Sequence, residues 1–386
     1  MSTLKVDGIR SNSASSDAIT LASDGTCTAN ITNNLSNRNL IINGAMQVAQ
    51  RGTSSSTDTN GYHTLDRFKP EWGNIDNAIT QAQVDVASGT TPYTLGFRKC
   101  LKITNGNQTG GAGTASFIRI STTLEAQDLA TSGWNYTSAS SYITLSFWVK
   151  SSVAQNFYGR LYTYDGTSQN YAFETGSLSA DTWTKVTKTI PGNSNITFDN
   201  NVNSGLNIEF GMFRGTDTTG SVSLNTWAAY ASGTRTPDQT STWYTTNDAT
   251  LEITGVQLEV GSVATDFEHR SYAQELKLCE RYFQTLSKSN VYLCTCTYFS
   301  SSVATGVLQL RTTMRTPPTL YQHTTTDGYL IYRNSSQETF NSFTDFDNPH
   351  QNGTGLYKSG LSGTAGHAGI MHLGQTSSII AAQAEL

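Results

Sequence analysis

Residues 157–164 read FYGRLYTY, and Tyr158, Arg160, Tyr162 and Tyr164 occupy alternate positions in that run. Alternate side chains of an extended strand share a face, so three phenol rings and one guanidinium would stand together. Such a surface suits a sugar. The apolar C–H faces of the ring stack on Tyr and Trp, while Arg, Asn and Asp take up the hydroxyls. Trp148 lies on the polar face of the preceding strand and would extend the shelf if the two strands were neighbours. The same face could instead pack beneath a loop or against another subunit, and the sequence leaves both readings open.

Catalytic chemistry has less support. Asp165, Glu174, Asp199 and Glu209 fall in the same region, and a glycosidase needs two carboxyl groups roughly 5–5.5 or 6.5–9.5 Å apart. Acids of this kind also decorate any β-sandwich, and the stacked repeats of polysaccharide-cleaving β-helices are missing. There is no Gly-x-Ser-x-Gly elbow and no Gly-x4-Gly-Lys-Ser/Thr phosphate loop. The cysteines are Cys27, Cys100, Cys279, Cys294 and Cys296; their odd number and uneven spacing argue against a secreted disulfide framework. Cys294 and Cys296 share a strand face, too far apart for easy bridging, and read as buried structural thiols. His367 and His372, five apart in a Gly-rich stretch, lack zinc-ligand spacing. No catalytic residue, metal or cofactor is expected.

These residues need a scaffold, and the composition points to β-structure. Charged residues make up 14% of the 386, against about 25% in an ordinary globular chain. Ser, Thr, Asn, Gln and Gly fill the difference. The 18 Tyr, 15 Phe and 6 Trp are too many for a chain that never packs. The net charge of −5 and the lack of a basic cluster argue against nucleic acid as a partner. No run approaches the ~18 apolar residues of a membrane helix. The opening MSTLKVDGIR has no signal-peptide core, so the chain reads as made in a reducing cytoplasm.

Residues 1–37 carry sparse apolar touches (Leu4, Val6, Ile9, Ile19, Leu21) and read as an extended arm with one or two short strands. Residues 38–270 read as the main domain. Within it YITLSFWVK, at 142–150, alternates cleanly: Ile143, Leu145, Phe147 and Val149 face one way and Tyr142, Thr144, Ser146, Trp148 and Lys150 the other. Strands are also expected at 157–164, 182–190, 206–213 and 250–258, punctuated by Gly, Asn, Asp and Ser. Many strands without helical crossovers predict antiparallel sheets, a sandwich or barrel. Residues 271–288 read as a short helix and linker. Tyr272, Leu276, Cys279, Phe283 and Leu286 form one helical stripe, and Ser271 with Gln274 fits a capping box. The stripe could dock on a sheet or form a three-helix seam with Leu276, Cys279 and Phe283 as subunit contacts. Residues 289–386 form a C-terminal β-domain, with strands at 291–299, 303–310, 329–332 and 377–386.

Several separated phrases carry a family resemblance. NLIINGAM (39–46) and, far downstream, ITGVQLEVG (253–261) are similar to the edges of family 4/9-type carbohydrate-binding jelly rolls. With QRG (50–52), YHTLDRF (62–68), EHRSYAQELKLCERYF (268–283) and the trailing TMRTPPTL (313–320), the set resembles the form found in fibres and appendages of tailed bacteriophages. LKVDGIRSNSA and AITLASDGT resemble the N-terminal stems of trimeric phage fibres. The likeness spans roughly residues 39–320. It implies an antiparallel jelly-roll sandwich in a homotrimeric tail fibre of the virion, bound to other tail or head proteins through the arm and to a host surface glycan or receptor. Alternatives are a head or tail appendage without a host ligand, and a polysaccharide depolymerase. Carbohydrate-binding relatives often hold calcium near these edges, but Ala45 and Thr254-Gly255 replace the expected acids, so no calcium is predicted.

Overall fold

The computed structural model describes residues 6–15, 17–21, 23, 27–29, 37–56 and 59–386. In the arm, β1 (Gly8–Ile9), β2 (Ile19–Leu21) and β3 (Cys27–Ala29) pair antiparallel in that order. Ile9 and Leu21 remain 52% and 39% exposed.

Twelve strands follow: β4 (Ser54–Ser55), β5 (Lys69–Gly73), β6 (Thr80–Asp85), β7 (Lys99–Thr104), β8 (Phe117–Glu125), β9 (Tyr142–Ser151), β10 (Asn156–Thr163), β11 (Gln169–Ser177), β12 (Thr184–Pro191), β13 (Ser204–Arg214), β14 (Trp227–Ala229) and β15 (Thr250–Val260). They form two six-stranded sheets, ordered β12-β9-β15-β7-β6-β4 and β14-β11-β10-β13-β8-β5. The result is an antiparallel sandwich, as the alternation implied, of the jelly-roll kind that the resemblance implied. Ile143, Leu145, Phe147 and Val149 of β9 all enter the core. There the Phe147 ring lies 4.9 Å from Phe210 of β13 and 6.3 Å from Phe173 of β11. Because the side-chain period is two, burying Leu161, Ile208, Phe210, Ile118 and Ile120 turns Arg160, Tyr162, Glu209 and Arg119 to the outside of the second sheet.

One expectation fails. β9 pairs with β12 and β15, whereas β10 pairs with β11 and β13. The link between β9 and β10 crosses from one sheet to the other and is not a hairpin. Trp148 therefore stands opposite Lys185 and Thr254 and packs with Phe97, Val86 and Cys100. It is no part of a shelf with the β10 tyrosines.

The C-terminal region adds β16 (Phe283–Lys288), β17 (Tyr292–Ser300), β18 (Val303–Gln309), β19 (Thr319–Gln322), β20 (Tyr329–Arg333), β21 (Ser336–Phe340), β22 (Asp345–His350), β23 (Gly353–Ser359), β24 (Ala368–Leu373) and β25 (Ile379–Gln383). They form a three-stranded sheet, β16-β25-β19, and a seven-stranded sheet, β21-β20-β24-β17-β18-β23-β22. Tyr298, Tyr329, Ile331, Leu356 and Met371 are among its fully buried side chains.

The helical stripe is also corrected. The helix covers Tyr272–Cys279, opened by the expected capping box of Ser271 and Gln274, and the chain then enters β16, where Phe283 pairs with Gln383. Cys279 and Phe283 are fully buried within this chain and Leu276 is half-buried, so the first two offer no surface to a neighbouring subunit. Phe283 is held by the Arg51 guanidinium, 3.6 Å above its ring, and by the edge of Tyr321 at 5.1 Å.

The recognisable phrases meet at the junction between sandwich and C-terminal region. Asn39 donates to the Val256 carbonyl and accepts from the Ile41 and Leu258 amides. Asn43 donates to the carbonyls of Val48 and Asp66, and its amide donates to Glu275. Arg51 bridges Asp66 and Glu385, and Arg67 reaches the other Glu385 oxygen at 2.6 Å. Arg281 and Tyr282 both bond Glu125 at the end of β8. His269 meets the Leu95 carbonyl at 2.8 Å. Burial pushes the Asp66 carboxyl up to about 6, against the pull of Arg51 and Gln50.

Candidate functional site

The outward face of the second sheet carries a groove of about 260 Å³. Four adjacent strands floor it with alternate residues: Lys69 and Glu71 of β5, Arg119, Ser121 and Thr123 of β8, Asn207 and Glu209 of β13, and Arg160 and Tyr162 of β10. The registers explain the convergence. Arg160 stands opposite Glu209, Glu209 opposite Ser121, and Ser121 opposite Lys69. Tyr164 follows the end of β10, and Tyr230 and Arg235 come from the loop after β14. Asn170 of β11 fastens that loop by donating to the Arg235 carbonyl at 3.0 Å.

Glu209 organises the floor. Its Oε2 accepts from Arg160 Nε at 3.1 Å and Nη2 at 3.0 Å and from Arg119 Nη1 at 3.1 Å, while Oε1 accepts from Arg214 Nη2. Burial alone would raise this carboxyl, but Arg160, Arg214 and Arg119 together outweigh it and hold it well below the usual carboxylate range. Glu71 behaves alike: burial raises it, Arg119 and Lys69 lower it further, and the net shift is downward. Arg119 joins the two acids, with Nε on Glu71 at 3.1 Å. Both carboxylates stay ionised and accept hydrogen bonds; neither is poised to donate a proton.

The wall is aromatic. Tyr162 meets Tyr164 at 4.9 Å and Tyr230 at 4.7 Å, both edge-to-face. Arg160 lies 5.3 Å from the centre of the Tyr162 ring and Arg235 5.7 Å from that of Tyr230. Tyr164 is 44% exposed, which leaves ring area for a ligand to cover. The Arg235 Nε donates to the Ser232 carbonyl, and its two terminal nitrogens have no protein partner among the described residues.

Of the residues singled out by alternation, Arg160, Tyr162 and Tyr164 come together here. Tyr158 shares their face but stands opposite Glu174, beyond the groove, and Trp148 belongs to the other sheet. Arg160 is 5% exposed, so it positions Glu209 and the tyrosines more than it offers a free guanidinium. Alternation alone did not reveal Lys69, Glu71, Arg119, Tyr230 and Arg235. A signal existed for Arg119 and Ser121, the polar alternates in FIRIST; the loop residues Tyr230 and Arg235 carry no periodic signal at all. The other three acids that the sequence places in this region lie apart from the groove. Asp165 and Asp199 meet each other in loops, with the Asp199 amide on Asp165 Oδ2 at 3.1 Å, and Glu174 takes the Asn156 amide group.

No family model and no curated protein matches this sequence. Among solved structures it is similar to the enzymatically active domain of tailspike protein 4 of bacteriophage CBA120, at 9% identity and a TM-score of 0.29, covering 58% of this chain and 21% of that one. It is also similar to a CBM4 structure, at 13% identity and a TM-score of 0.27, over 57% of this chain and 98% of the other. A third is the CBM22-1 xylan-binding domain of Xyn10C from Paenibacillus barcinonensis, at 10% identity and a TM-score of 0.27, over 55% and 94%.

Proposed function

We propose that this chain is a non-catalytic glycan-binding protein of a phage virion appendage, most simply a homotrimeric tail fibre, which holds a host surface saccharide in the groove of its sandwich. The observation that carries the binding role is the groove itself: a tyrosine wall with exposed ring area above a floor of fixed hydrogen-bonding groups. That combination suits stacking on a sugar ring and recognition of its hydroxyls. The arginine-paired state of Glu71 and Glu209 suits holding rather than cutting, since glycoside cleavage needs an acid with a raised pKa. The appendage role rests on the phrases at 39–52, 62–68 and 253–283. Three copies per fibre would raise a weak single-site affinity through effective concentration.

Support for self-association comes from the seven-stranded sheet. Tyr332, Ile370 and Thr295 stand in register across β20, β24 and β17. Tyr292, Val307 and Ile370 remain 69%, 69% and 40% exposed. Light scattering should give three times 41.8 kDa; a monomer would remove the trimer.

The binding test is a glycan array probed with the labelled protein and with Tyr164→Ala, Tyr230→Ala and Trp148→Ala variants. Saturable binding lost in the two groove variants and kept in Trp148→Ala is the expected result. Binding that survives both tyrosine changes would refute the groove, and no binding to any glycan would favour an appendage without a host ligand.

A further inference from the structure

The groove's charge goes further than its shape, and it differs from that of the chain around it. Counting side chains, Lys69, Arg119, Arg160 and Arg235 line it against Glu71 and Glu209, and Arg214 stands behind Glu209. Five cations thus face two carboxylates, in a chain whose net charge is −5. Nearby Glu385 does not redress the balance, because Arg51 and Arg67 take it up. The surplus is also placed for use. Glu209 pairs with Arg160, Arg214 and Arg119, and Glu71 with Arg119 and Lys69, yet Lys69 and Arg119 keep 33% and 20% of their side-chain surface. Arg235 uses Nε alone, and its terminal nitrogens face no acid among the described residues. A neutral sugar has no need of this arrangement: its hydroxyls are served by Asn207, Thr123 and the carboxylates. A guanidinium without a counter-charge beside a tyrosine wall matches a planar or tetrahedral anion carried on a sugar ring.

Resting on the glycan-binding reading above, we infer that the groove selects acidic saccharides, seating the sugar's carboxylate, sulfate or phosphate on Arg235, Arg119 and Lys69 while its ring lies against Tyr164 and Tyr230. The floor supplies rigidity, since Glu209 fixes three arginines and Asn170 ties the Arg235 loop to β11. Affinity for an acidic ligand should fall with added salt, because exposed charges are screened over ~8 Å at physiological ionic strength.

The experiment uses the full chain and matched polysaccharides: uronate-bearing, sulfated and phosphorylated glycans, each beside a neutral form made by carboxyl reduction, desulfation or dephosphorylation. The arms separate the three anions. Retention on the acidic members, loss on their neutral counterparts, and about ten- to a hundredfold weaker binding by Arg235→Gln, partly rescued by Arg235→Lys, are expected. Arg235 and Lys69 sit at the mouth, so Arg235→Gln and Lys69→Gln should unfold at the wild-type temperature. Equal binding of acidic and neutral members that Tyr164→Ala still abolishes would overturn the charge selection and leave the glycan reading standing. No saturable binding by the wild type to any member would overturn both.

Discussion

Glu209→Gln tests whether the floor of the groove is held by charge. Glutamine has nearly the same volume, so packing changes little. What changes is the pairing: four guanidinium N–H groups from Arg119, Arg160 and Arg214 converge on the two carboxylate oxygens, and glutamine replaces one oxygen with an NH2 group. That group cannot accept, so at least one arginine loses its partner where the side chains involved are 2% to 20% exposed. Removing one partner of a buried charge pair costs about 3–5 kcal/mol. For a domain of the sandwich's size, each kcal/mol moves the midpoint by about 2–4 °C, so the transition should fall by roughly 6–20 °C. Acid gives a second readout. The folded Glu209 carboxyl lies well below its unfolded value near 4.5, so its stabilisation is fully present above that value. It is lost as pH falls from about 4.5 through the folded pKa. Urea melts between pH 3 and 7 should show the wild type losing this increment while Glu209→Gln, having none, shows a flatter acid limb. A variant within 0.5 kcal/mol of wild type, or one with an unchanged acid limb, would refute the buried-anchor argument.

The junction and the thiols give further tests. A Cβ on Gly44 would lie 2.0 Å from the Val256 carbonyl oxygen. Gly44→Ala should therefore cost about 1–3 kcal/mol by forcing the 39–46 segment off the last sandwich strand, readable by chemical denaturation, and a neutral result would show that the segment shifts freely. Burial pushes the thiols of Cys294 and Cys296 up to about 12 and about 11, and raises Cys100 and Cys279 as well. Since the thiolate is the reactive form, peptide-level alkylation at pH 8 should leave these four unmodified in the native protein and label them in urea; fast native labelling of Cys100, Cys279 or Cys296 would contradict its burial.

What could be read from the sequence divides by the range of the information. Strand existence was local: the alternation at 142–150 and in FYGRLYTY reappears as β9 and β10, within a residue or two at each end. Strand partnership was not. Whether Trp148 joins the tyrosines depends on which sheet each strand enters: β9 and β10 go to opposite sheets while β10 and β11 stay in one, so the same pattern is compatible with either answer. The stripe at 272–286 misled for a related reason. Its spacing continues past Cys279, but residues 283–288 pair with β25 across a bulge at Leu286, and a long-range strand pairing overrides a local helical period.

The groove shows why its anchor was visible as a residue and invisible as a role. Glu209 stood out in sequence as one acid among several, and what distinguishes it is the company of Arg119, Arg160 and Arg214, drawn from β8, β10 and the far end of β13 itself. The recognisable phrases follow the opposite logic. The amides, guanidiniums and carboxylates of NLIINGAM, YHTLDRF and EHRSYAQELKLCERYF close one buried junction, where an unpaired polar group would cost about 1–3 kcal/mol. The residues that would choose a ligand sit elsewhere, on Tyr164 and on the loop bearing Tyr230 and Arg235, where exposure relaxes the packing demands and side chains can change without loss of the fold. A chain of this kind is therefore most legible in the part that holds it together, and least so in the part that recognises its target.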